Sequence, residues 1–411
     1  MNEQIATRCC IAGGGPAGMM LGFLLARAGI EVVVLEKHAD FLRDFRGDTL
    51  HPSTLDLMHE LGILDELLKR PHRRLPRFTA EMGDSEIILA DFSRLSTRCR
   101  FIALMPQWDF LDFLARQAQR YPGFHLRMQT EVIGLLEHNG RVVGVSARDP
   151  HGPLEIRADL VIGADGRHSA ARSASGLPVS DVGSPIDVLW LRLSREENDP
   201  QLILHFKSGR ILATADRGDY WQCGFVIAKG ASEELQRKGI GALRAEIAEV
   251  APFLRSRLTE LKDWNDVRLL TVRIDRLRRW YRTGLLCIGD SAHSMSPIGG
   301  VGINLAIQDA VAAANILAAP LLAHCIADHH LAAVQRRRAF ATRVTQTFQV
   351  IIQKQLVERV LAGSNRNRPP WIQRVINASR PVRWIRGRMI GIGIRPEHIR
   401  TPDCLASAMN T

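Results

Sequence analysis

The sequence has no paired cysteines. Its 7 cysteines, Cys9, Cys10, Cys99, Cys223, Cys287, Cys325 and Cys404, are odd in number and scattered, with no CxxC step. That excludes a readable zinc cage or disulfide framework and fits a reduced compartment; no metal site is expected. Also lacking is a clean apolar run of about 20 residues, the length that spans a bilayer. The most apolar stretch, 311–327, is interrupted by Asn315, Pro320 and His324. The start, MNEQIATR, is polar and carries Glu3, unlike the basic start and apolar core of a secretory signal. A cytoplasmic location is the expectation. With Gly 33 and Pro 19 in 411 residues, collagen-like and low-complexity classes are excluded, and no repeat is visible.

What is present is an ordinary globular composition, 46% hydrophobic and 24% charged, long enough for two or three domains. The net charge of +11 sits almost wholly at one end: residues 331–411 hold 15 of the 54 Lys and Arg but only 3 of the 43 acids. A solvated helical tail is expected there, with a surface for anionic lipid, acidic partners or an anionic cofactor as the alternative. No nucleic-acid module accompanies the charge, so a nucleic-acid partner is not expected.

The pattern of elements is α/β. Residues 8–12 read as a buried strand, and 16–28 as an apolar helix ended by Gly29. Residues 31–36, EVVVLE, read as a β-branched strand, which completes a βαβ unit. Residues 53–69 read as one amphipathic helix with Ser53 as its N-cap, and 107–121 as another. Residues 76–103, 124–165 and 186–230 alternate like strands, with Asn139-Gly140 as a hairpin turn. Helices are expected over 231–262 and 302–319, a strand over 284–289, and mostly helix from 331 onward.

Within the first unit, Gly13-x-Gly15-x-x-Gly18 links strand to helix, and Glu36 ends the next strand. Gly13 permits the turn, Gly15 admits a pyrophosphate to the backbone, and Gly18 lets helix and sheet pack closely. The helix N-terminus favours the phosphate charge, and Glu36 can accept from ribose hydroxyls. This unit does not separate FAD from NAD. No second such unit is present, since Gly239-Ile-Gly241 and Gly391-Ile-Gly393 lack the strand–turn–helix frame.

Two further motifs follow. Leu160 to Arg167, LVIGADGR, is a strand ending in Asp165-Gly166, followed by His168, Ser169 and Arg172. Leu285 to His293, LLCIGDSAH, leads to Pro297-x-Gly299-Gly300-x-Gly302-x-Asn304 and a helix. Asp290 there offers a carboxylate to a polyol, or caps a helix. The glycine-rich loop after it offers amides to an anionic ring. In this order the three motifs, with Gly393-Ile-Arg395-Pro396-Glu397 near the end, resemble the single-component class A FAD monooxygenases related to para-hydroxybenzoate hydroxylase.

The resemblance implies a Rossmann-like FAD-binding domain (1–75, 106–178 and 276–320). It also implies an interleaved β-sheet substrate domain (76–105 and 179–275) and a helical C-terminal region (321–411). FAD would be held non-covalently. Gly13, Gly15, Pro16, Ala17 and Gly18 would hold the pyrophosphate and Glu36 the adenosine ribose. Arg46 would lie near the phosphates or flavin, Gln107 at the ribityl or phosphate region, and Asp290 at the ribityl chain. Gly300, Val301, Gly302, Ile303 and Asn304 would set amides at the flavin pyrimidine edge, with Lys37 and Val132 completing the set. Asp165 either touches FAD or braces its loop. Pro297 packs beside the isoalloxazine ring or only forms a turn. His51, beside the Arg46-Gly47 motif, either handles a proton or is part of a cap.

The resemblance further implies NADH or NADPH as transient co-substrate, O2, and oxygen transfer through a flavin C4a-hydroperoxide to an electron-rich, aromatic small molecule. A monomer or homodimer is expected. One departure stands out. With only 3 tyrosines, Tyr121, Tyr220 and Tyr281, a tyrosine proton relay is doubtful. Trp190, Arg192, His205, Trp221 and Cys223 fall on the substrate sheet, with the inward face left open. The competing readings are a reductase, dehydrogenase or halogenase of the same fold, though the halogenases' tryptophan motif is missing, and a non-catalytic FAD-binding protein.

Overall fold

A computed structural model describes residues 3–42, 49–82, 85–199, 204–361 and 379–408. The chain builds two principal sheets. The first is eight-stranded and centred on the strand Glu3–Ala12, which pairs in parallel with Val32–Leu35 and with Gly152–Gly163. Phe124–Arg127 and Leu285–Cys287 extend it in parallel on either side. Strand alternation gives this sheet two cores. Cys9 and Ile11 face one, built with the helices Pro16–Arg27, Gln107–Ala118 and Val301–Leu322. Cys10 and Ala12 face the other, with Val132, Val145 and Ile156. Burial on both faces explains why these strands read as continuous apolar runs.

The first βαβ unit follows the sequence closely. The helix runs Pro16–Arg27, and Gly29 takes φ +84° just beyond it, a left-handed position that glycine fills without a Cβ penalty. Elsewhere the backbone breaks expected helices. Residues 53–69 form two, Pro52–Glu60 and Leu64–Leu67, because Gly62 at φ +73° turns the chain between them. The N-cap is His51 and not Ser53, since Pro52 occupies the first helical position. Residues 231–262 split into Ser232–Arg237, Ile240–Val250 and a 3-10 segment Pro252–Glu260, at Gly239 and Pro252.

The second sheet has seven strands in the order 267–270, 186–194, 220–228, 210–216, 204–207, 77–82 and 85–91. It is antiparallel except where Leu204–Lys207 meets Arg77–Met82. One face packs Leu189, Leu191, Trp221, Cys223 and Phe225 against the helices after residue 231. The opposite face carries Ile186, Val188, Trp190, Gly224 and Val226 and turns toward the first sheet's motif loops. The helix Asp328–Leu361 spans 34 residues and packs on Val301–Leu322. Ile298–Leu322 is long and apolar enough to cross a membrane, yet 78% of its most apolar window is buried inside the protein.

Candidate functional site

The Gly13–Gly18 turn is locked by close backbone contacts. Gly13 takes φ +105°, and a Cβ there would lie 2.5 Å from the Ala164 carbonyl oxygen. A Cβ on Gly18 would strike the Gly13 carbonyl at 1.9 Å. Gly15 differs: a Cβ there meets nothing within 4 Å, and the residue lines a cavity. The missing side chain at Gly15 thus leaves room for an outside molecule and not for the protein. Glu36, at the end of Val32–Leu35, accepts from the Gly14 amide at 3.1 Å and from the His38 amide at 3.1 Å. Its carboxylate therefore stands beside the helix N-terminus, as a ribose contact requires.

The cavity measures about 1030 Å³. A pocket for one drug-sized ligand takes roughly 300–1,000 Å³, so this one can hold a dinucleotide with a second molecule beside it. Of the residues expected to bind FAD, Gly13, Gly15, Pro16, Ala17, Glu36, Lys37, Gln107, Val132, Asp165, Asp290, Gly300, Gly302 and Ile303 line it, as does Pro297. These come from well-separated stretches of chain, around residues 13–17, 36–37, 107, 132, 165 and 290–303, and they fit an elongated group such as FAD. Gly18 and Val301 lie beside the lining residues and do not belong to them. Arg46 falls outside the described residues.

Asp165 both lines the cavity and braces its own loop. It accepts from the Ser169 hydroxyl and, at 3.1 Å, from the Ala171 amide. Burial raises its pKa against those bonds. Asn304 is taken up by the fold. Its Oδ1 accepts from the His51 amide (2.9 Å) and the Thr54 hydroxyl (2.7 Å), and its Nδ2 donates to the carbonyls of Thr49 (2.9 Å) and Gly300 (3.1 Å). It ties the 49–54 segment to the glycine loop.

His51 lies behind that loop and does not line the cavity. It is 1% exposed, and its Nδ1 donates to the Ile390 carbonyl at 2.7 Å. Burial pushes its pKa down to about 4, against the pull of the Ile390 and Gly299 carbonyls. The imidazole is therefore neutral at pH 7, with an unprotonated Nε2.

The Asp290 motif rests on buried charge. Asp309, on the helix Val301–Leu322, accepts from the Gly289 amide (3.1 Å), His293 Nε2 (2.6 Å) and Arg338 Nε (2.9 Å). Burial opposes its ionisation, but His293 and Arg338 outweigh that and hold its pKa below the usual carboxylate range. Gly289 immediately precedes Asp290, so this cluster sets where the Asp290 backbone emerges.

Beyond Pro297 the cavity continues over the open face of the second sheet. One row across it runs Leu204, Ala213, Gly224 and Trp190. The middle is small, and the Trp190 ring lies where a Gly224 side chain would be, 3.1 Å from a Cβ built there. The result is an apolar trough with Arg217 and Gln222 as polar groups on its sheet floor, where the guanidinium donates to Gln222 Oε1 at 2.8 Å. His205, Trp221 and Cys223 point into the opposite core. Sequence reasoning missed Arg217, Gln222 and the helix residues Phe348, Ile351 and Gln355, which also line the cavity. The sheet register pairs Trp190 with Gly224 and so sets Gln222 on the same face, whereas strand parity in the sequence does not say which face is inward.

A family model described as "FAD binding domain" matches residues 6–348. The chain is 34% identical over 347 residues to a 6-methylpretetramide 4-monooxygenase of Streptomyces rimosus, covering 84% of this chain and 83% of that one. It is 28% identical to a rifampicin monooxygenase of Streptomyces venezuelae, over 73% of this chain and 61% of the relative. Among solved structures, an anhydrotetracycline hydroxylase from Streptomyces rimosus superposes with a TM-score of 0.75 at 21% identity, covering 96% of this chain and 77% of that one.

Proposed function

The chain belongs to the FAD-binding family of class A flavoprotein monooxygenases, and from that premise we propose that it hydroxylates an electron-rich aromatic molecule of several fused rings, consuming O2 and NADH or NADPH. One observation carries the reading: the cradle around Gly15 and the apolar trough under Trp190 are a single cavity that meets at Pro297. FAD held by these residues would supply the redox chemistry that links the nicotinamide to dioxygen.

The protein's own residues do the rest. Gly13–Ala17 and Glu36 would hold the adenine half, and Asp290 with the backbone at Gly299, Gly300, Gly302 and Ile303 would hold the flavin half. The loop at Pro297 lines the passage between the cradle and the trough. The flat floor of Ala213, Ala215 and Gly224 suits a planar substrate, and Arg217 with Gln222 supplies an orienting polar end. Apolar walls exclude water, which preserves the oxygen for the substrate. His51, buried and neutral, positions the loop through its backbone bond to Asn304. By their names two of the relatives act on 6-methylpretetramide and rifampicin, and those molecules are the first substrates to try.

The test combines NADH and NADPH oxidation, oxygen uptake and product mass under isotopically labelled dioxygen. One labelled oxygen atom per product, with matched consumption of nicotinamide and O2, is expected. FAD-loaded protein that leaves both nicotinamides and O2 untouched across a broad phenol set sinks the reading.

A further inference from the structure

The loop 292–297 lies between two short 3-10 turns, Gly289–Ser291 and Ile298–Gly300, and leads into the glycines expected at the flavin. Ser294 and Ser296 are 3% and 1% exposed. Backbone groups buried in such irregular chain need partners from elsewhere. The helix Asp328–Leu361 provides them. Gln346, Gln349 and Gln353 stand at i, i+3 and i+7, on one helical face, and all three are buried.

Gln346 Nε2 donates to the carbonyls of Asp275 (2.8 Å) and Ser294 (3.0 Å). Gln349 Nε2 donates to the carbonyls of Ser296 (3.0 Å) and Ile298 (3.1 Å), while its Oε1 accepts from the Ser296 amide at 3.2 Å. Gln353 donates to the Ser296 hydroxyl and accepts from the Ser184 hydroxyl at 3.1 Å. An apolar helix face would pack there without desolvating three amides. It could not hold the loop's carbonyls. The same helix turns Phe348, Ile351 and Ile352 toward the cavity, so one element fixes the loop and walls the site.

We propose that Gln346, Gln349 and Gln353 are positioning residues, an amide ladder that fixes the 294–300 loop and thereby the flavin ring at the mouth of the trough. The proposal rests on the FAD reading above. It accounts for three buried glutamines on a helix that the βαβ motifs do not include.

The test compares Gln349→Met with Gln335→Met in the full chain. Gln335 lies on the same helix and makes a similar pair of bonds, from the Trp280 amide (3.0 Å) and to the Arg278 carbonyl (2.9 Å), away from the loop. Both variants should lower the melting temperature. Only Gln349→Met should weaken FAD about tenfold, the scale of one lost buried hydrogen bond. It should also shift the visible spectrum of the bound flavin and raise the share of electrons lost to hydrogen peroxide. Gln353→Met leaves the backbone carbonyls paired, so it should show the same changes at smaller size if Gln349→Met does not fold. Unchanged FAD affinity, spectrum and peroxide share in the variants that fold would overturn the ladder. A wild-type chain that binds no FAD removes the functional premise itself, and the ladder with it.

Discussion

Gly15 and His51 show how differently two motif residues earn their places. At Gly15 the structure leaves space that no protein atom uses. Gly15→Val fills it without disturbing the fold, so the variant should purify folded and colourless. The ratio of flavin to protein absorbance checks this. A yellow variant would mean that the pyrophosphate does not approach there. At His51 the space is fully used. Its pKa of about 4 in the folded chain lies below the roughly 6.5 of an unfolded histidine. The stability it contributes is complete above pH 6.5 and is lost as pH falls toward 4, by about 3 kcal/mol. His205, whose pKa is also lowered by burial, acts with the same sign. His51→Asn should flatten the fall of the urea midpoint between pH 6.5 and 4 while keeping bound FAD. An unaltered pH slope would show that His51 is not buried as a neutral group.

Among the elements, the helices that follow the glycine loop carry the heaviest structural duty. Arg338, 1% exposed, neutralises Asp309 across two helices and also reaches Glu397 at 3.4 Å. Arg338→Ala leaves a buried carboxylate with one fewer counter-charge, which typically costs about 3–5 kcal/mol. Denaturant unfolding should show that loss, and FAD affinity should fall with it because Asp309 holds the Gly289 amide. A drop under 1 kcal/mol would mean water or rearrangement replaces the guanidinium. The trough makes a different claim. Ala213→Phe, on the cavity side of the central strand, should cut turnover of a multi-ring phenol at least tenfold and spare a single-ring one. Tenfold needs only about 1.4 kcal/mol, less than a typical overpacking cost. Equal loss for both substrates would place the ring elsewhere.

Across the whole molecule, a cofactor that bridges stretches of chain from residue 13 to residue 303 should bind the folded state alone. FAD at a hundredfold excess over its dissociation constant should then add about 2.7 kcal/mol to the stability of the apoprotein. Thermal melts with graded FAD check it, and a melting point indifferent to FAD would contradict the cavity assignment. The βαβ unit and the three motifs were legible in the chain because they are local: glycine at forced turns, β-branched runs, an acid at a strand end. Their order along the chain was enough to identify the family. Helix breaks at Gly62 and Gly239 were written locally too, though the amphipathic pattern ran through them. The inward face of the second sheet was not legible, since strand alternation is symmetric until something packs on one side. Nor was the surrounding of His51 or the glutamine ladder. Gln346, Gln349 and Gln353 share helical spacing in the sequence, but polar residues at that spacing equally describe a solvated face. Only the tertiary structure buries them, because the groups they bond, the carbonyls of Ser294, Ser296 and Ile298 and the Ser296 hydroxyl, belong to a loop more than fifty residues away.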